Sequence, residues 1–291
     1  MIFNKNKTGN SLTFVIIALL LSCSTFKTLM NRSSLKNPEV KVSNARITGI
    51  SFQDVDLQFD LDISNPNSLG IKLESFDYDF LLDESSFVKG EQDKGLEIAA
   101  NNVSTVQLPV TLGFREIYNS YKGLTSKDST KYQLNAGLAF NIPILGAVRI
   151  PVSKSGYIPL VKIPKISVSG LRVEKLNFTG ADLLLNVKVG NPNAFSMMLE
   201  NMNYQFHLNG NSIASGITSK GMTLNKKGET ILELPISLNF LEMGQTVFHI
   251  LNGETELNYN FKGDFDADTS IPMFDNANLP FDKSGKIMLS K

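Results

Sequence analysis

The tripeptide Asn-Pro-Asn occurs twice, as Asn65-Pro66-Asn67 and as Asn191-Pro192-Asn193, each time directly after a run of alternating apolar residues. A repeated breaker of this kind constrains the fold strongly, because it implies that a whole structural unit has been copied. The spacing is 126 residues (191 − 65), and it holds without a gap through the neighbouring sequence. Asp56-Leu57 falls on Asp182-Leu183, Leu73-Glu74 on Leu199-Glu200, Tyr78 on Tyr204, Phe80 on Phe206 and Gly90 on Gly216. Leu108-Pro109 then falls on Leu234-Pro235, and Phe114 on Phe240. Further on, PVSKSGYIPL from residue 151 answers PFDKSGKIML from residue 280, a spacing of 129 (280 − 151), so a few residues are inserted between. Copies of roughly 125 residues are each large enough to bury a core. The pattern therefore predicts tandem domains over 40–164 and 165–291.

Within each copy the hydrophobic period is two. Val55, Leu57, Phe59, Leu61 and Ile63 alternate with Asp54, Asp56, Gln58, Asp60 and Asp62, and the second copy places Leu183, Leu185, Val187 and Val189 in the same way. Such alternation is the mark of a strand buried on one face. It returns through Phe76, Tyr78 and Phe80, and through Val106, Leu108, Val110 and Leu112. Only FREIYNSYKGL (114–124) and FLEMGQTVFHILNG (240–253) widen to helical spacing, which predicts one short helix per copy at a sandwich end. The expected fold is all-β with minor α: two tandem antiparallel β-sandwiches of immunoglobulin or fibronectin III type.

Asn-Pro-Asn has a structural role in this scheme. Pro66 and Pro192 lack an N–H and stop a ladder, while Asn65, Asn67, Asn191 and Asn193 are suited to bonding nearby backbone and to positive φ. The tripeptide is read as a turn that ends one strand and aims the next, without a ligand.

The N-terminus carries a different signal. Lys5 and Lys7 precede an apolar run from Leu12 to Leu21, followed by Ser22 and Cys23, the only cysteine of the chain. That is the shape of a secretory signal over 1–22, and the run is shorter than the about 20 residues a membrane span needs. Leu20-Leu21-Ser22-Cys23 resembles a bacterial lipoprotein lipobox, which implies acylation of Cys23 and a membrane tether over 23–39. Ser24 after the cysteine implies the outer membrane by the same resemblance. Beyond the signal the chain carries 26 basic and 28 acidic residues, no nucleic-acid footprint, and no possibility of an intrachain disulfide.

Asn-Pro-Asn after an alternating strand, a later Leu-Pro pair, and Pro-x-x-Lys-Ser-Gly, all given twice, resemble the late embryogenesis abundant type 2 family, whose unit is also called the water stress and hypersensitive response domain. The resemblance covers nearly all of the mature chain. It implies a stably folded β-sandwich with one helix, no enzymatic activity, and a link to desiccation or osmotic stress. Some relatives of the domain are membrane-anchored and have been proposed to bind lipid.

Catalytic chemistry is sparsely provided. The chain has two histidines, His207 between Phe206 and Leu208 and His249 in the predicted second helix, and neither has a histidine counterpart in the first copy. Acid–base and nucleophilic catalysis most often recruit histidine, so no catalytic set is assembled and no cofactor is expected. A Cys/His zinc site is excluded by the single cysteine. Asp264, Asp266 and Asp268 have the every-second-residue spacing of a calcium loop but lack its glycine and distal glutamate, and a strand with a solvated face explains them. The expected function is a non-enzymatic, lipid-anchored envelope protein that protects or scaffolds. The alternative is a lipid carrier whose groove would be lined by FNIPILGAVRIP and IPLVKIPKISV.

Overall fold

The structure, a computed structural model, describes residues 35–290 except 94, 220, 244, 254–255, 270 and 275. Cys23, the signal segment and most of the tether therefore lie outside the described residues. In the first copy the strands are β1 (Glu39–Ile50), β2 (Asp54–Asn65), β3 (Ile71–Leu82), β4 (Ser85–Gln92), β5 (Leu96–Ile98), β6 (Asn102–Gly113), β7 (Ser129–Ile142) and β8 (Gly146–Pro159). In the second they are β9 (Lys165–Leu176), β10 (Gly180–Gly190), β11 (Met197–Leu208), β12 (Asn211–Thr218), β13 (Met222–Leu224), β14 (Glu229–Asn239), β15 (Glu256–Thr269) and β16 (Ala277–Ser290). β1, β3, β4 and β5 begin and end 126 residues before β9, β11, β12 and β13, so the repeat read from sequence is a repeat of structure.

The first copy places β1-β2-β6 in one sheet and β4-β3-β7-β8 in another, with β5 beside β3. Alternation explains the layering. β2 buries Val55, Leu57, Phe59, Leu61 and Ile63. Phe59 meets Phe80 of β3 and Tyr132 of β7 at ring separations of 6.2 and 5.8 Å, so the apolar faces of the two sheets pack on each other. The second copy repeats the two sheets as β9-β10-β14 and β12-β11-β15-β16, with β13 beside β11. One difference is a short parallel pairing, Leu289 with Leu171 and Ser290 with Arg172, that joins β16 to β9. The arrangement is thus not purely antiparallel.

Each copy carries its expected helical segment, and the second is divided. The first copy has α1 (Phe114–Ser120) followed by a 3-10 turn (Lys122–Ser126), and the second has α2 (Phe240–Met243) and α3 (Gln245–Gly253). Phe114 and Ile117 face the core, and the chain re-tightens after Tyr121, whose N–H bonds the Ile117 carbonyl.

The chain falls into two compact units whose borders differ from 40–164 and 165–291. One holds residues 59–108 and 132–156 with the described residues up to Asn44, and the other holds 45–58, 109–131 and 157–290. β1, β2, β6, β7 and β8 each contribute to both.

Candidate functional site

The four asparagines of the two tripeptides are buried, while Pro66 is exposed and Pro192 half-buried. Asn65, Asn67, Asn191 and Asn193 are the buried polar side chains of the core together with Thr130, among the described residues. Burial of an amide is tolerated only when its bonds are made, and these are. In the first copy Asn65 Nδ2 donates to the carbonyls of Leu69 (2.8 Å), Ala99 (3.1 Å) and Ile98 (3.4 Å), while its Oδ1 accepts from the Asn67 N–H (3.0 Å). In the second, Asn191 Nδ2 donates to Phe195 (2.7 Å), Asn225 (3.2 Å) and Leu224 (3.4 Å), and Oδ1 accepts from the Asn193 N–H (2.9 Å).

The third residue of each tripeptide reaches further back. Asn67 donates from Nδ2 to the Lys36 carbonyl and accepts from the Lys36 N–H, both at 2.8 Å. Asn193 does the same with Lys162, at 2.7 and 2.8 Å. Each asparagine amide thus acts as a surrogate strand edge that closes a two-bond ring on the segment leading into β1 or β9. Lys36 and Lys162 are again 126 residues apart, as are Pro38 and Pro164.

The turn reading needs two corrections. The bonds are not only local, since they span 31 to 34 residues. Nor do these four asparagines take positive φ; that conformation falls on Asn101 (51°) and Lys227 (54°), whose N–H groups donate to the carbonyls of Asn67 and Asn193. Pro66 directly follows the last residue of β2, and Pro192 lies two residues beyond the last residue of β10. The segment read as tether is fixed from Lys36 onward.

The second clamp carries an ion cluster. Lys227 Nζ bonds the Asp128 carboxylate and donates to the Pro192 carbonyl at 2.8 Å, and Lys162 Nζ approaches Asp128 at 3.4 Å. The hydrogen bond from Lys227 holds the Asp128 carboxyl below the usual carboxylate range, with the charge of Lys162 acting in the same sense. Tyr118 lies close by and donates to the Val161 carbonyl at 2.8 Å. Burial, aided by the Asp128 charge, pushes its phenol up to about 12. Lysines bound to a carboxylate and a carbonyl brace this part of the chain.

The aspartate run on β15 is a strand, with Phe265 and Ala267 buried between the acids. Asp264 accepts from Asn203 (3.0 Å) and Asn278 (3.0 Å), and Asp266 from Asn278 (3.1 Å) and Asn201 (3.4 Å). Side-chain amides occupy these oxygens, and hydrogen bonds from Asn278 and Asn203 lower the Asp264 pKa. No group of three or more His, Cys, Asp or Glu gathers as a metal set among the described residues. His207 sits on β11 with Nδ1 buried and unpartnered, and His249 packs its ring 5.7 Å from Phe248 on α3.

The segments proposed to line a lipid groove are divided. Phe140, Ile142, Ile158, Leu160 and Val161 are core residues, whereas Ile144 and Leu145 are exposed at a turn and Ile163 is exposed in the connection between β8 and β9. In the second unit, an apolar slot lined by Ile166, Val187, Val189, Leu199, Met202 and Phe265 encloses about 20 Å³, close to the room one water needs.

The family model of the late embryogenesis abundant protein matches residues 60–156 and 186–285. The chain belongs to that family. It is similar to the late embryogenesis abundant protein Lea14-A of Gossypium hirsutum, 25% identical over 135 residues, covering 46% of this chain and 87% of the relative. It is also similar to a desiccation-related protein of Arabidopsis thaliana, 24% identical over 128 residues, covering 44% and 77%. A solution structure of an Arabidopsis thaliana protein aligns with a TM-score of 0.37 and 21% identity, covering 44% of this chain and 84% of that one. Each of these matches has about the length of one repeat, and this late embryogenesis abundant protein carries two.

Proposed function

We propose that this chain is a non-enzymatic, folded protectant against desiccation or osmotic stress, held at a bacterial outer membrane by an acylated Cys23. The reading rests chiefly on the match of both repeats to a family whose relatives are named for desiccation. The clamps support it: the buried asparagines bond backbone, which serves persistence of the fold rather than turnover of a substrate. The outward Asn and Asp side chains of β11, β15 and β16 give the second sheet a strongly hydrated face. A lipid-carrying role is the weaker reading, because a slot of about 20 Å³ has no room for an acyl chain.

A host lacking the chain should lose viability on drying or osmotic upshift and regain it with the wild-type chain. Equal survival with and without it would refute the protective role. The anchor is tested separately: a palmitate analogue should label the wild type and not Cys23→Ala, and continued labelling of Cys23→Ala at the membrane would show that the lipobox assignment is wrong.

A further inference from the structure

Two turns of the chain are built alike and end differently. The turn between β1 and β2 bonds the Ser51 N–H to the Asp54 carbonyl at 2.9 Å, with the Ser51 hydroxyl accepting from the N–H groups of Gln53 and Asp54. Between β9 and β10, Asn177 N–H bonds the Gly180 carbonyl at 3.0 Å, and Asn177 Oδ1 accepts from the N–H groups of Thr179 and Gly180. Each turn carries a phenylalanine at its tip, Phe52 and Phe178, 126 residues apart. Yet Phe52 is 3% exposed and Phe178 is 88% exposed.

The difference is what covers them. Within the second compact unit, the Phe52 ring meets Phe274 edge-on at 4.9 Å, and the neighbouring Ile50 N–H donates to the Met273 carbonyl at 3.3 Å. Phe274 in turn lies 6.0 Å from Phe195. This receiving surface also has a counterpart in the first copy. Ile271-Pro272-Met273-Phe274 matches Ile142-Pro143-Ile144-Leu145, with Met273 (φ 64°) and Ile144 (φ 74°) in the same left-handed conformation, and Phe195 matches Leu69. Leu69, Ile144 and Leu145 are 40%, 46% and 38% exposed. The chain therefore presents one tip and one receiving surface of a contact that it already makes once. The Phe178 ring lies 5.6 Å from Phe248 and keeps its outer face open, and Leu241, next to the Phe240 whose N–H donates to the Thr179 carbonyl, is 83% exposed where the first copy has Arg115.

We infer that Phe178 of one copy of this chain docks on Leu69, Ile144 and Leu145 of a second copy, repeating the Phe52–Phe274 contact head to tail. Tip and surface are different patches, so the contact is heterologous and leaves one free end of each kind, which allows rows of chains rather than closed pairs. Leu176 N–H and the Ile144 carbonyl hold the places of Ile50 N–H and the Met273 carbonyl. Aromatic residues in such a contact dominate its energy.

The test uses full-length chains in their own membrane, one tagged copy carrying Thr179→Cys and a differently tagged copy carrying Ser68→Cys, with a short thiol cross-linker. A species bearing both tags is expected. It should fall about tenfold when Phe178→Asp is added to the first copy, or Leu145→Asp to the second, at unchanged thermal unfolding. Cross-linking that ignores both substitutions, or that matches a pair with the second cysteine at the exposed Tyr157, would overturn the proposal. So would labelling of the Phe178 tip by a photoreactive lipid in place of a mixed-tag species, which would assign the tip to the bilayer.

Discussion

Asn191 shows how much of a repeat hangs on one amide. Its Nδ2 is shared among three carbonyls and its Oδ1 is held by the Asn193 N–H, all in the core. Removing the amide leaves these groups unpaired, each at about 1–3 kcal/mol. Asn191→Ala should therefore lower the free energy of unfolding by about 3 kcal/mol in denaturant titration, with Asn65→Ala giving a similar loss. A change near zero would show that water enters the site. Titratable residues give a second expectation. The raised pKa of Tyr118 means that the folded state keeps its proton longer than the unfolded chain, so the stability it contributes is present below about pH 10 and is lost as pH rises towards about 12. Asp128 has the opposite sign. Its lowered pKa gives stability that is present above about pH 4 and is lost as pH falls below that. Tyr118→Phe should flatten the alkaline limb and Asp128→Asn the acid limb of a plot of melting temperature against pH.

At the scale of elements, glycines and bulges explain why the alternation was legible and the pairing was not. Tyr78 lies across from Gly90, Tyr204 from Gly216 and Tyr259 from Gly285, each ring covering the space a Cβ would fill, and Tyr132 covers Gly156 likewise. The matched Tyr and Gly positions are visible in the sequence. Their contact is not, because cross-strand register depends on where the hairpin turns. A Cβ at Gly90 would strike the Tyr78 ring, whereas at Gly216 it would stay 3.2 Å or more from Tyr204. Gly90→Ala should therefore cost about 1 kcal/mol, the scale of a cross-strand pair, and Gly216→Ala clearly less. β3 shows a second limit. It buries Ile71 and Leu73 and then, after an irregularity between Leu73 and Ser75, Phe76, Phe80 and Leu82. β11 does the same between Glu200 and Asn203. The phase switch could be read from the apolar residues, but the extra residue that produces it has no distinctive chemistry. The clamps were half legible for a related reason. The asparagines could be picked out, while the groups they bind are main-chain atoms that any residue supplies.

For the molecule as a whole, the clamps move the natural border of each repeat upstream. Lys162 precedes β9 but is bonded by Asn193, so the second repeat needs residues that a cut at Lys165 would discard. A fragment of 160–291 should unfold cooperatively and exceed 165–291 in stability by about 2 kcal/mol, from two hydrogen bonds of about 1 kcal/mol each. Asn193→Ala should erase that gap, and equal stability of the two fragments would show the clamp to be dispensable. The clamp on Lys36 also has a mechanical meaning. Lys36 lies ahead of β1, so a pull applied to the N-terminus loads its two bonds to Asn67 before any tension reaches the ladder. The two bonds share the load and must yield together, and the strand behind them is shielded from peeling one residue at a time. Asn67 is in this sense a strain relief at the point where a cable meets its housing.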